Sequence, residues 1–391
     1  MVTAHLARQD RFRPTALEIA AGMVSGDAGA AVELPHTDLS PLEALGSSML
    51  GALARPPCLV SFSGGRDSSA VLAVAAMVAR REGLPLPIPV TQRYPDAPDT
   101  EESTWQELVV RHLDLHDWHR MEVTDELDLV GPVSARVHQR HGVLWPPNAY
   151  LHAPLLEEAR GGSLLTGFDG DGLWGGWRWC HAADARAGRS GWGRNNLLHM
   201  ANAATPTRVR QVVERRRHDA ALTWLRPDAR RRMQRSWAAE RSSEPPRWDR
   251  WLGWWANRRY LAVLGHGLDL LAGDAGAELT HPLLDLHFLA ALARAGGRFG
   301  FGRRTAVTSL VFGGVLPHEV LVRSGKAVFT DVFWREGSRR FIQDWDGTGV
   351  DPDLVDPEAL RQALLAPRTD FRIASPLLSA FLVSLRGSGT V

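Results

Sequence analysis

Lysine is nearly absent from this chain. Of 45 Lys and Arg residues, Lys326 is the one lysine. The arginine excess fits a GC-rich coding sequence, and within that bias a lone lysine points to a position where arginine does not serve. The count is a pointer and no more. Cysteine is also scarce. Cys58 and Cys180 are the two present, and neither has a C-x-x-C partner. That argues against a disulfide scaffold, a zinc ribbon and an iron–sulfur site. An excess charge of one sign is missing too, since the formal net charge is +1. No global field therefore argues for a nucleic-acid or membrane partner. No apolar run reaches membrane-span length, and the N-terminus lacks the shape of a signal peptide, so the expected location is cytoplasmic. Repeats and low-complexity tracts do not occur. What remains is ordinary: 44% apolar and 23% charged residues in a chain of 391, enough for one large or two medium domains.

Against this background one stretch stands out. Ser61 to Ala70 reads S-F-S-G-G-R-D-S-S-A. The apolar run Cys58 to Phe62 before it has strand character, and the Ala-rich run after it favours helix. The segment is a strand, a glycine turn and a helix start. Gly64 and Gly65 permit backbone angles closed to other residues. Their N–H groups can converge beside the positive end of the helix, and Ser63, Ser68 and Ser69 add hydroxyls. That is a phosphate cradle. It is not a G-x-x-x-x-G-K-[ST] loop, which would need a lysine here. The bland alternative is a tight turn that happens to be rich in glycine.

Along the chain, Pro41 to Leu53 reads as a helix. Leu86 to Thr91 and His119 to Val123 read as further strands, and Ser163 to Thr166 as a fourth. Helical stretches fall at about Thr100 to His112, Asp125 to His141 and Ala149 to Ala159. Strands alternating with helices predict an α/β fold: a parallel sheet with helices on both faces. Ligands in such sheets bind beyond the carboxyl ends of the strands. From about Ser190 onward the pattern is mostly helical. The expected organisation is a short N-terminal segment, 1–50, and one domain over 51–391. Arg208 to Arg259 is dense in arginine. It reads as a solvated helical surface or, more sharply, as a site for an acidic or peptide partner. Trp248, Trp251 and Trp255 recur at helical spacing and read as core.

Two more elements carry chemistry. Thr166 to Trp177 reads T-G-F-D-G-D-G-L-W-G-G-W. Magnesium prefers carboxylates and substrate phosphates, and Asp67 with Asp171 could bridge it onto pyrophosphate. The alternative is a turn whose aspartates cap a helix. Lys326, in R-S-G-K-A-V-F, is a compact mobile cation that can stabilise charge on phosphate or carbonyl oxygens. A surface lysine would be the ordinary reading.

Taken together, the ordered motifs resemble a known family. S-G-G-x-D-S is similar to the pyrophosphate loop of the N-type ATP pyrophosphatases. That loop is followed by T-G-x-x-x-D-x-L-x-G-G, H-P-L-L-D (His281 to Asp285), L-P and R-x-x-K-x-x-F. The order resembles the synthetase domain of asparagine synthetases, a family that includes β-lactam synthetases and lasso-peptide cyclases. The resemblance spans about residues 50 to 335. It implies the adenine nucleotide α-hydrolase-like fold with ATP and Mg2+ as cofactors. The implied reaction is activation of a carboxylate as an acyl-adenylate, followed by attack of an amine. By motif match, Ser61, Ser63, Gly64, Gly65, Asp67, Ser68 and Gly167 would bind nucleotide, with Glu102 matched less securely. Asp67 and Asp171 would hold the metal, and Lys326 would act at the reacting centre.

Two departures narrow the implication. Asparagine synthetases carry a glutaminase domain whose nucleophile is a cysteine just after the initiator Met. Here residue 2 is Val, and about 50 residues precede the loop. The amine is then expected from another source, free ammonia or a partner protein. Where the family has S-G-E-G-S-D-E, this chain has T-G-F-D-G-D-G, with Phe168 in place of a glutamate. That resembles ligases whose nucleophile is a substrate amine, in natural-product or modified-peptide synthesis. Two other readings stay open: activation of a non-carboxylate substrate, and a non-catalytic nucleotide-binding subunit.

Overall fold

The computed structural model describes residues 12–190, 193–219, 222–366 and 370–387, without the side chains of 214–219. Residues 1–11 of the expected N-terminal segment and the side chains of Arg215 to Arg217 lie outside the described residues.

Five strands form one sheet: β1 (Cys58–Ser61), β2 (Ile88–Arg93), β3 (His119–Glu122), β4 (Ser163–Thr166) and β5 (Glu278–Thr280). Every neighbouring pair is parallel, in the order β3-β2-β1-β4-β5. The direction of winding reverses between β1 and β4. This switch point is where an open α/β sheet leaves a crevice beyond its carboxyl edge. Ser61 pairs with Thr166 across it. Both glycine-rich motifs therefore leave the sheet side by side.

Alternation along the strands sorts the core into two layers. Cys58, Val60 and Leu165 face one apolar cluster, built with the helices Pro41–Leu53, Arg66–Glu82, Ser103–His112 and Leu286–Gly296. Leu59, Val90 and Leu164 face the other, built with Pro132–His141, His152–Glu158, Arg259–Ala275 and Ala374–Gly387. The α/β reading with helices on both faces holds, and so does the mostly helical C-terminal portion. Trp248, Trp251 and Trp255 are buried in the first layer. Trp248 and Trp251 stack with ring centroids 5.3 Å apart.

Several boundaries differ from expectation for local reasons. β2 starts and ends two residues later than Leu86 to Thr91, after a lead-in through Pro85 and Pro87, which lack the N–H that a ladder needs. The helix expected from Asp125 begins at Pro132, with Gly131 as its N-cap. Proline at the first helical position starts helices and disfavours helical geometry just before it. Ala149 to Ala159 divides into a 3₁₀ turn, Ala149–Leu151, and the helix His152–Glu158. β5 was not anticipated, because three residues are too few to show a period. In the arginine-dense stretch Arg231, Arg232 and Arg235 are exposed as a solvated surface requires, whereas Arg258 is 2% exposed and ion-paired to Asp27 and Glu240. Among the described residues no helix is long and apolar enough to cross a membrane.

Candidate active site

β1 delivers the glycine loop to the switch point. Gly64 has φ +83, and a Cβ there would lie 2.7 Å from Gln106 Cγ, so the position excludes a side chain on two counts. Ser63 Oγ accepts from the Gly65 N–H at 3.3 Å and lies 3.2 Å from Ser68 Oγ. Gly65 then caps the 17-residue helix Arg66–Glu82 with no side-chain bond. Its first-turn N–H groups are left for a ligand or water. From β4, Gly167 presses directly on the loop, and a Cβ there would sit 2.6 Å from Ser68 N.

A cavity of about 270 Å³ lies at this edge. Ser61, Ser63, Gly65, Asp67, Ser68, Glu102, Gly167, Asp171 and Lys326 all line it. Gly64 does not line it; its carbonyl accepts from Arg323 Nη1 at 3.0 Å. The fold thus gathers sequence-predicted residues that are up to 265 positions apart, from Ser61 to Lys326.

Asp67 sits deepest. It accepts from Trp174 Nε1 at 2.9 Å and from Arg304 Nη2 at 2.8 and 2.7 Å. Burial pushes its carboxyl above the ordinary value, and Arg304 opposes that shift. Asp171 is bound by Arg304 Nη1 and by Lys326 Nζ. Burial alone would raise its pKa, but Lys326 and Arg304 together hold it below the ordinary carboxylate value. The helix Gly170–Gly175 that carries Asp171 is capped by Asp169, at φ +54, without a side-chain capping bond. Asp169 instead accepts from Tyr260 Oη at 2.6 Å.

One guanidinium therefore bridges Asp67 and Asp171, which brings the two carboxylates close together. Among the described residues no three His, Cys, Asp or Glu side chains form a metal cage. Two carboxylates beside an anion pocket nevertheless fit an ion that completes its sphere with phosphate oxygens and water.

The sequence reading assigned no role to Arg304, Arg323, Arg66 or His152, all of which line the cavity. Arg323 is 8% exposed, ion-paired to Glu102, and lies 4.7 Å above the Trp105 ring. It donates to the carbonyls of Gly64 and Gly325. Glu102 and Arg323 thereby tie the glycine loop to the irregular segment that carries Lys326. His152 has its pKa lowered to about 4 by burial, so the ring is neutral at pH 7. Behind it, Thr166 Oγ1 lies 2.6 Å from His281 Nδ1, and Phe168 packs on the His281 ring at 5.8 Å. Four cations face three carboxylates around the cavity, a balance that favours a polyanion.

Residues 43–385 match the sequence pattern of the asparagine synthase family. The chain belongs to that family. Membership implies ATP-dependent adenylation and amide chemistry, in a family that typically uses ATP and Mg2+. The match begins inside the helix Pro41–Leu53 and ends inside the last helix, so the described sheet and cavity lie within it. Among curated proteins no match was found.

Proposed function

We propose that this chain is an AMP-forming amide ligase that adenylates a substrate carboxylate and passes the acyl group to an amine, in natural-product or modified-peptide synthesis of the lasso-like, macrocyclising kind. The observation that carries the reading is the convergence on one cavity of the glycine loop, both aspartates and the single lysine. In the first step a carboxylate oxygen bonds to the α-phosphorus of ATP, and the bond to the bridging oxygen breaks to release pyrophosphate. In the second, the amine nitrogen bonds to the acyl carbon, AMP departs and the nitrogen loses a proton.

Ser63, Gly65, Ser68 and the open helix terminus receive the β and γ phosphates, with Ser61 and Gly167 flanking the nucleotide. Arg66 and Arg304 balance the departing charge. Asp67 and Asp171 would hold magnesium, which when bound draws charge away from the leaving pyrophosphate. Lys326 stabilises the charge that builds on oxygen in both steps. Glu102 acts through Arg323, holding the Lys326 segment against the loop. His152 lines the same cavity as a neutral ring, with Nδ1 held 3.2 Å from the Ala149 carbonyl. A partner protein that delivers the substrate fits this scheme.

The test is the nucleotide product. A panel of amino acids and short peptides is incubated with the chain, ATP and Mg2+, and nucleotides are separated by chromatography. AMP and pyrophosphate are expected; ADP and phosphate would overturn the reading. Asp171→Asn removes a charge from the pair, so its magnesium requirement should rise about tenfold. An unchanged magnesium titration for this variant would remove Asp171 from the metal site.

A further inference from the structure

A second cavity, of about 240 Å³, opens at the far end of the helix Gly170–Gly175, against Gly175, Gly176 and Trp177. Arg178, Arg210 and Arg241 line it, and Glu244 is the one carboxylate among its lining residues. We propose that this cavity is an oxyanion subsite, which takes a second carboxylate or a phosphate group of the substrate, remote from the group that reacts.

Unused donors carry the argument. Nε and Nη1 of Arg178, and Nε and Nη1 of Arg210, are withdrawn from water without a hydrogen-bond partner among the described residues. Each guanidinium spends its remaining nitrogen nearby: Arg178 Nη2 on the Glu244 carbonyl at 3.3 Å, Arg210 Nη2 on Thr207 Oγ1 at 3.3 Å. Charged donors left unsatisfied in a protein are costly, and an oxyanion satisfies several at once. Charge points the same way. Glu244 is 4% exposed, and burial raises its pKa to about 7, so near neutrality it offsets the arginines only in part. The stacked rings of His181 and His199, with centroids 4.1 Å apart, close another side. The cavity is larger than a lone carboxylate needs, so a length of attached chain can enter with it.

The position sets the substrate class. Asp171 sits in the first turn of Gly170–Gly175, and the cavity begins where that helix ends. Six helical residues span roughly 9 Å. A substrate that occupies both cavities is therefore an extended acid, with a second anion about one helix length from its reacting carboxyl. Assigning the anion to the substrate rests on the ligase reading above; the binding of an oxyanion does not.

The experiment is calorimetric titration of the full chain with succinate and with inorganic phosphate, each with and without saturating ATP. Saturable binding that ATP does not displace is expected. Arg178→Gln and Arg241→Gln should each weaken it about tenfold, with ATP affinity unchanged. The Arg178 side chain donates to the Glu244 carbonyl and its loss can disturb the fold; Arg241 is exposed, so its variant keeps the test sound. Stronger binding of succinate identifies a carboxylate ligand, and stronger binding of phosphate a phosphate ester. No saturable binding, displacement by ATP, or binding unaffected by either variant would overturn the proposal. If the anion binds but the nucleotide product is ADP, the subsite stands and the ligase reading falls.

Discussion

Replacing Lys326 by alanine is expected to lower turnover about a hundredfold or more while leaving thermal stability nearly unchanged. The two halves of this expectation have different origins. Lys326 is 73% exposed and pairs with Asp171, which is itself 48% exposed. An exposed ion pair of this kind contributes little to folding, about 1 kcal/mol at most. Charge developing on phosphate and acyl oxygens is another matter. Removing one preorganised electrostatic contact from a transition state typically costs about 3 kcal/mol, which is a hundredfold or more in rate. ATP affinity should change much less than turnover, because the loop, Arg66 and Arg304 remain. Lys326→Arg should rescue poorly. The guanidinium is larger, its donors form a fixed fork, and Arg304 already occupies the other side of Asp171. Single-turnover kinetics, ATP binding and a melting curve on both variants make the check. Near wild-type turnover in the alanine variant would reduce Lys326 to a surface residue and leave the site to its arginines.

The lysine was legible in the sequence because it is alone. The arginines were not, for the converse reason. Where almost every cation is arginine, neither Arg304 nor Arg323 stands out, although Arg323 lies in the R-S-G-K segment that carries the lysine. Arg304 acts by bridging Asp67 and Asp171, and Arg323 by pairing with buried Glu102. Both relations span more than 130 positions, and nothing local encodes them. The loop itself was readable because its constraints are local: a strand, glycines that admit φ +83, then a helix rich in alanine. The parallel sheet followed from the alternation of elements. Its order did not, and the order is what places the two glycine motifs side by side. β5 illustrates the limit. Its three residues form a strand because β4 offers a free edge, a tertiary cause that no window of sequence contains.

Acid should destabilise this protein through buried histidine as pH falls below about 6.5. His138 is fully buried, and burial lowers its pKa to about 4 from the ordinary 6.5. Nδ1 lies 2.8 Å from the Ser134 carbonyl, which fixes the proton on that nitrogen. Nε2 is buried without a partner among the described residues, and the ring packs edge-on to Tyr150 at 5.5 Å. Protonation would add a charged donor with nothing to receive it. The unfolded chain binds this proton more readily than the folded one, so stability is complete above about pH 6.5 and falls as pH drops toward 4. At about 1.4 kcal/mol for each pKa unit, the loss approaches about 3 kcal/mol by pH 4.5. His152 and His281, each lowered to about 4 chiefly by burial, act in the same direction. In His138→Asn the amide Nδ2 can still donate to Ser134 and nothing titrates, so the variant should lose some stability at pH 7 yet show a shallower pH dependence. Urea unfolding at pH 7 and pH 4.5 for both proteins measures the difference. Equal slopes between the two pH values would mean that His138 carries its proton in the folded state as easily as in water, and the acid sensitivity would then have to come from the ion pairs.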